Sequence, residues 1–222
     1  MSDAQRLIPW LTLALLTVVG AAGAALGIQQ SPQQANLDRA VSNTLKAPNY
    51  SSLLVSTGTQ AATQNLVWEA PDRIGGYVDT GKRRFYVAVI GSFEYQSTQV
   101  STSTGPTNLT FLKGASQPAS AYDPVQGYLP YAQKATDIHR NGDVYSFTVT
   151  QQGQTAQFTV TVSGQYVSDL TITATGLHAD LSITDVGTSP PVTLPAGAKV
   201  KAVSGTGTGS SSGTGSSSGA AG

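Results

Sequence analysis

Cysteine is absent from all 222 residues, which excludes disulfides, thiolate metal sites and a cysteine nucleophile. Charge is scarce as well. Lys, Arg, Asp and Glu make up 11% of the chain, and twelve basic residues cancel twelve acidic ones; soluble domains usually carry roughly 25%. A thinly charged, balanced surface offers no broad field to nucleic acid, so nucleic acid is not expected as a partner. Only two histidines occur, His139 and His178, and both fall in polar surroundings; general acid–base catalysis usually needs a better-placed base. There is no G-x-S-x-G, no H-E-x-x-H, no phosphate-cradling glycine loop before a helix and no carboxylate set with calcium spacing. An enzyme is not expected from this sequence, nor a cofactor or a metal site.

What the chain does have is a charge-free run of 22 residues from Leu7 to Ile28. At helical rise this is long enough to cross a hydrocarbon layer of about 30 Å. It reads as a membrane anchor or an export signal. Arg6 and the amino terminus precede it, offset in part by Asp3, which orients the N-terminus towards the cytoplasm. Ala22, Gly23 and Ala24 give the small-x-small pattern of a cleavage site, so cleavage is the alternative to retention. Residues 1–6 are then a short cytoplasmic N-terminus, 7–28 the apolar segment and 29–33 a polar link. Residues 34–203 form one folding unit, and 204–222, built only of Ser, Gly, Thr and Ala, form a tail expected to stay disordered.

Within 34–203 the period of the apolar residues changes once. Leu37, Val41 and Leu45 recur every four residues and predict an amphipathic helix over 34–46, closed by Pro48. From Tyr50 onward the period is two, and strands are expected at about 50–58, 63–70, 73–79, 83–90, 93–100 and 107–112. Tyr122 to Lys134 predicts a short, irregular helical segment interrupted by Pro124 and Pro130. Asn141–Gly142 predicts a type I′ hairpin. After it Tyr145, Phe147 and Val149, then Ala156, Phe158, Val160 and Val162, alternate with polar residues; Leu170 to Ala174 and Leu177 to Ile183 continue the pattern. This predicts an antiparallel meander, apolar on one face and wet on the other. The proline-rich stretch 187–195 is expected to run extended along a sheet edge.

Taken together the expectation is an α+β, mainly β domain: about eleven antiparallel strands in an open half-barrel, with helices covering the concave face. This order resembles the LolA/LppX-like envelope lipoprotein superfamily. The resemblance rests on "WEAPDRI" at 68–74, "VIGSFEY" at 89–95 and "DVGTSPPV" at 185–192, and it covers residues 34–195. It implies a lipid-binding or lipid-carrying module outside the cytoplasm of a bacterial cell, with an acyl-chain lipid or a lipidated protein as partner. Many such relatives carry an acylated cysteine after the signal; this chain has none. The resemblance therefore implies a single-pass protein tethered to the membrane by its uncleaved helix, or a secreted one if the signal is removed. A protein-interaction or sensory module on the same fold, with an envelope protein as partner, is the alternative.

The candidate cavity-lining residues are the inward positions of the meander: Phe147, Val149, Phe158, Val160, Leu170, Ile172, Leu181 and Ile183. The same side chains would serve a closed core, and the sequence leaves both readings open. Candidate headgroup contacts are Arg73 and the basic run Lys82, Arg83 and Arg84; a solvated, aggregation-blunting turn is the other reading of that run. Asp72 and Arg73 follow Pro71 at a strand end and point to opposite faces, which argues for a conformational corner rather than a joint site. There Asp72 is expected to bond turn N–H groups and Arg73 to lie near Tyr77.

Overall fold

The computed structural model describes residues 31–59, 61–81, 83–98, 108–151 and 153–203. The apolar segment 7–28, the tail 204–222 and Lys82 lie outside the described residues. Among the described residues no helix is long and apolar enough to cross a membrane.

Helix α1 spans Pro32–Leu45. The Ser31 hydroxyl caps it by accepting from the Gln34 N–H at 3.2 Å, and Pro32 occupies its first turn, where a missing N–H costs nothing. Leu37, Ala40, Val41 and Thr44 form its buried face. Thr44 is polar yet buried because its hydroxyl serves two partners: it donates to the Ala40 carbonyl and accepts from the Val167 N–H, each at 2.9 Å. That second bond fastens α1 to the sheet at a bulge between Val167 and Asp169.

Twelve strands follow: β1 (Asn49–Gly58), β2 (Ala62–Glu69), β3 (Arg73–Asp79), β4 (Arg84–Ile90), β5 (Phe93–Ser97) and β6 (Thr110–Ala115), then β7 (Thr136–Asn141), β8 (Val144–Gln151), β9 (Gln154–Ser163), β10 (Tyr166–Ala174), β11 (Leu177–Thr184) and β12 (Lys199–Ala202). They make a single open sheet in the order β12-β6-β5-β4-β3-β2-β1-β11-β10-β9-β8-β7. Every pairing is antiparallel except that of β12 with β6, which is parallel. Among the described residues the expected eleven strands are therefore twelve. The extra one, Lys199–Ala202, is four residues long and exposed at every position.

Between β6 and β7 the chain forms a 3-10 turn (Ala119–Ala121), the short helix α2 (Pro124–Tyr128) and a 3-10 helix (Leu129–Lys134). The helices share one face of the sheet, here the inner face. There α1 packs on β10, β7 and the 3-10 helix, α2 packs on β1 and β11, and the turn at Ala119–Ala121 lies over β3. Register makes the inner face continuous: Tyr145, Val160, Leu170, Leu181, Leu54 and Gln64 stand opposite one another from β8 to β2.

Two expectations are corrected by the local geometry. In the β7–β8 hairpin Asn141 pairs with Val144, so the two turn residues are Gly142 and Asp143. Gly142 takes φ 62° while Asn141 stays in the strand, the positive-first arrangement of a type II′ turn rather than type I′. The stretch 187–195 does not pair along an edge. It crosses the outer face as a strap: the Ser189 N–H donates to Asn49 Oδ1 at 3.0 Å, the Val192 N–H to Glu69 Oε2 at 2.8 Å, and the Tyr86 hydroxyl to the Thr193 carbonyl at 3.4 Å. Only beyond it does the chain reach the edge, as β12. The outer face is therefore not uniformly wet. Ala88 and Phe111 are wholly buried on it, and Tyr86 meets Tyr77 and Phe111 edge-on, with ring centroids 5.3 and 5.8 Å apart.

Candidate functional site

The corner "APDR" turns β2 into β3. Glu69 ends β2, the Ala70–Pro71 peptide is cis, and Arg73 opens β3. The Asp72 carbonyl accepts from the Gly91 N–H at 3.2 Å, so this corner is bonded through its main chain to the neighbouring β4–β5 turn. Arg73 reaches back to Glu69 at 3.9 Å; this i,i+4 pairing, rather than Tyr77, is its recorded partner.

Immediately after the corner come Gly75 and Gly76, and the two serve opposite faces. Gly75 lies outward, beneath the strap. A Cβ there would stand 3.0 Å from Val192 Cγ1, so the bare backbone is what lets Val192 seat, 4% exposed. Gly76 lies inward between Ile74 and Val78, opposite Leu66 on β2 and Val87 on β4. Its φ of 154° disfavours any side chain, and a Cβ would fall 2.0 Å from the Asn65 carbonyl oxygen. The inner face consequently has a notch where one side chain is missing.

Residues next to and opposite Gly76 line a cleft on the inner face of β2–β5. Leu66, Ile74, Val78, Val87 and Val89 make its walls; Gln64, Glu94 and Tyr122 are its polar members. The cleft is partly open to solvent and has a cavity volume of about 40 Å³. The position follows from the topology. Among the described residues the helices bear mainly on β1 and the β7–β11 half, and the turn that leads to Tyr122 is what packs over β3.

Glu94 is the chemically unusual member. Phe93–Ser97 is a strand in which the apolar Phe93 faces outward, 44% exposed, with the Lys113 ammonium 3.6 Å from its ring centroid, while Glu94 faces inward at 8% exposure. The Tyr122 hydroxyl donates to Glu94 Oε2 at 3.0 Å, whereas buried Oε1 has no hydrogen-bond partner among the described residues. Burial holds the Glu94 carboxyl above the usual carboxylate range, against the opposing pull of the Tyr122 bond. In the same cross-strand row, Trp68 pairs with Ile74, Ile74 with Val89 and Val89 with Glu94. Trp68 Nε1 is buried and unpartnered too.

A second buried polar group anchors the segment beyond Tyr122. Asp123 caps α2 by accepting from the Val125 N–H at 3.0 Å, and it accepts a hydrogen bond from the Tyr50 hydroxyl. Gln126 Nε2 donates to the same hydroxyl at 3.3 Å and to the Leu45 carbonyl at 3.2 Å. Burial pushes the Asp123 carboxyl up to about 6, outweighing the bonds that stabilise its charge.

The eight inward residues of the meander lie elsewhere. Phe147, Phe158, Val160, Leu170, Ile172, Leu181 and Ile183 are buried in one core cluster, with Val149 half-buried against it. Phe147 stacks on Phe158 at 5.2 Å, and Tyr131 of the 3-10 helix covers Phe158 at 5.7 Å. None of the eight lines the cleft. The basic candidates are likewise apart from it: Arg73 and Arg84 precede the inward Ile74 and Phe85 and so face outward, Arg84 is bound to Asp79 at 2.8 Å, and Arg83 is exposed in the turn. His178 and Asp180 form a pair 3.0 Å apart on the exposed outer face of β11.

None of the cleft residues is among the candidates read from the sequence, and Gly76 and Glu94 are the two positions of this face that depart from the apolar alternation. A glycine pair inside a strand pattern is itself a signal of close backbone approach. Glu94 gives no such signal, because its strand buries the acid and exposes the aromatic.

No family model matches the sequence, and no curated protein matches it. Solved structures do. LprF from Mycobacterium bovis is 11% identical with a TM-score of 0.47, over 75% of this chain and 98% of that one; the lipoprotein LppX from Mycobacterium tuberculosis is 11% identical with a TM-score of 0.47, over 74% and 100%. The chain is thus similar in structure to LprF and LppX, at low sequence identity.

Proposed function

We propose that this protein is an extracytoplasmic module, tethered by its N-terminal apolar segment, that binds an acyl chain of a lipid or of lipidated cargo in the inner cleft of an open half-barrel. The observation that carries this reading is the cleft itself: five aliphatic walls, four of them next to or opposite Gly76, on the part of the sheet where the described helices make few contacts. Each methylene taken from water into such a place contributes about 0.8 kcal/mol, so apolar area alone can supply affinity without a conspicuous motif. Size sets a limit. The cavity of about 40 Å³ is well below the ~150 Å³ of an apolar cavity that takes a benzene. As it stands it admits the end of a chain, and the rest of a longer guest lies along the open cleft. The packed β8–β11 half then acts as the rigid wall beside the site.

The test is native mass spectrometry of the protein purified from lipid-containing cells, beside a Val87→Trp variant that fills the cleft. Co-purified lipid on the parent and its loss from the folded variant are expected; equal lipid on both would refute the assignment. A second reading, a protein-interaction module without a lipid ligand, is favoured by how completely the β8–β11 half of the inner face is filled. It predicts no adduct on either protein.

A further inference from the structure

Glu94 is buried against the alternation of its own strand. Reversing the strand would bury Phe93 and Tyr95 and expose the acid, the cheaper arrangement on hydrophobic grounds. The β4–β5 hairpin instead fixes Ile90 opposite Phe93 and Val89 opposite Glu94, which sets the carboxyl on the inner face beside Val87 and Val89. One oxygen is bound by Tyr122; the other is buried and has no partner among the described residues, and Glu94 is itself a lining residue of the cleft. Leaving a buried acceptor unmade costs about 1–3 kcal/mol, more if the group is charged. Departures of this kind from the packing rules concentrate where a chain binds something.

On the reading that the cleft takes an apolar chain, we infer that Glu94 Oε1 is the polar end of that site, and that it selects a long-chain ligand bearing a hydroxyl group over one bearing a carboxylate or phosphate. A hydroxyl suits this oxygen in either protonation state, donating to the carboxylate or accepting from the acid. A carboxylate or fully ionised phosphate head cannot donate, and beside an ionised Glu94 it would place a second negative charge in a desolvated wall, where like charges repel strongly. The aliphatic part of the ligand lies on Leu66, Ile74, Val78 and Val87, within reach of the notch at Gly76. Tyr122 acts as a positioning residue that holds the carboxyl in one orientation.

Hexadecanol and palmitate separate the possibilities, since they share one chain and differ at the head. Binding to the full-length protein is followed by the rise in unfolding temperature and by native mass spectrometry, in mildly alkaline buffer. Hexadecanol is expected to bind roughly tenfold or more tightly than palmitate, the discrimination of at least one buried hydrogen bond. Glu94→Gln, which keeps the shape and gains a donor, is expected to bring palmitate to within about threefold of hexadecanol. Equal binding of the two to the parent protein, or a preference unchanged in Glu94→Gln, overturns the role of Glu94 while leaving the cleft as a lipid site. Binding of neither probe to a folded parent protein overturns the cleft reading and this inference with it.

Discussion

The Tyr122 hydroxyl donates to Oε2 of Glu94 across 3.0 Å, joining the segment that precedes α2 to the inner face of β5. Tyr122→Phe should leave both Glu94 oxygens without partners and lower stability by about 1–3 kcal/mol. Adding Glu94→Leu removes the orphaned acid as well, so the double variant should recover most of that loss. Urea unfolding of the four proteins measures both steps. A double variant no more stable than Tyr122→Phe alone would show that the pair is not coupled as described.

Asp123 gives a pH dependence whose direction follows from its burial. In the folded chain it keeps its proton up to about 6, whereas the ordinary value is 3.8. Between those values the folded state binds more protons than the unfolded one, so stability falls as pH rises, by up to about 1.4 kcal/mol per pH unit, and levels off above the window. Glu94, raised by burial in the same direction, adds to the slope. Asp123→Asn keeps an N-cap for α2 and an acceptor for the Tyr50 hydroxyl, and should flatten the fall in unfolding temperature between pH 4 and pH 6 relative to the parent protein. An unchanged slope would contradict the buried, protonated form.

The adjacent glycines should respond unequally. Gly76→Ala puts a Cβ 2.0 Å from the Asn65 carbonyl oxygen at a φ of 154°, and should destabilise by about 2–4 kcal/mol. Gly75→Ala meets Val192 Cγ1 at 3.0 Å, a side-chain contact that can yield by displacing the strap; about 1 kcal/mol is expected, with faster proteolysis of residues 190–198. Denaturant unfolding and limited digestion check the two together, and a Gly76→Ala protein as stable as the parent would remove the explanation of the notch.

The meander was legible because each of its strands alternates cleanly: Phe158, Val160, Leu170, Ile172, Leu181 and Ile183 all turn inward. Helix α1 was legible for a similar reason, a single apolar stripe closed by a proline. Relationships between distant segments were not. Asp123 reads as an ordinary cap until Tyr50, 73 residues away, is brought onto it. Val192 reads as one apolar residue among prolines until Gly75 opens a seat for it. Glu94 inverts the expected order because the pairing of Ile90 with Phe93 and the cover of Lys113 over that ring fix which face each residue takes. Local pattern therefore located the packed half of the inner face, whereas the cleft arises where a side chain is absent and an acid replaces an aromatic.

The central claim, that an apolar guest enters between β2 and β5 and not among the meander residues, is tested most directly by methyl NMR of the isotopically labelled protein titrated with hexadecanol. The account predicts shifts and intermolecular contacts at the methyls of Leu66, Val78, Val87 and Val89, with those of Val160, Leu170 and Leu181 unmoved. Contacts gathered on Val160, Leu170 and Leu181, or no contact with any methyl at saturating hexadecanol, would contradict it.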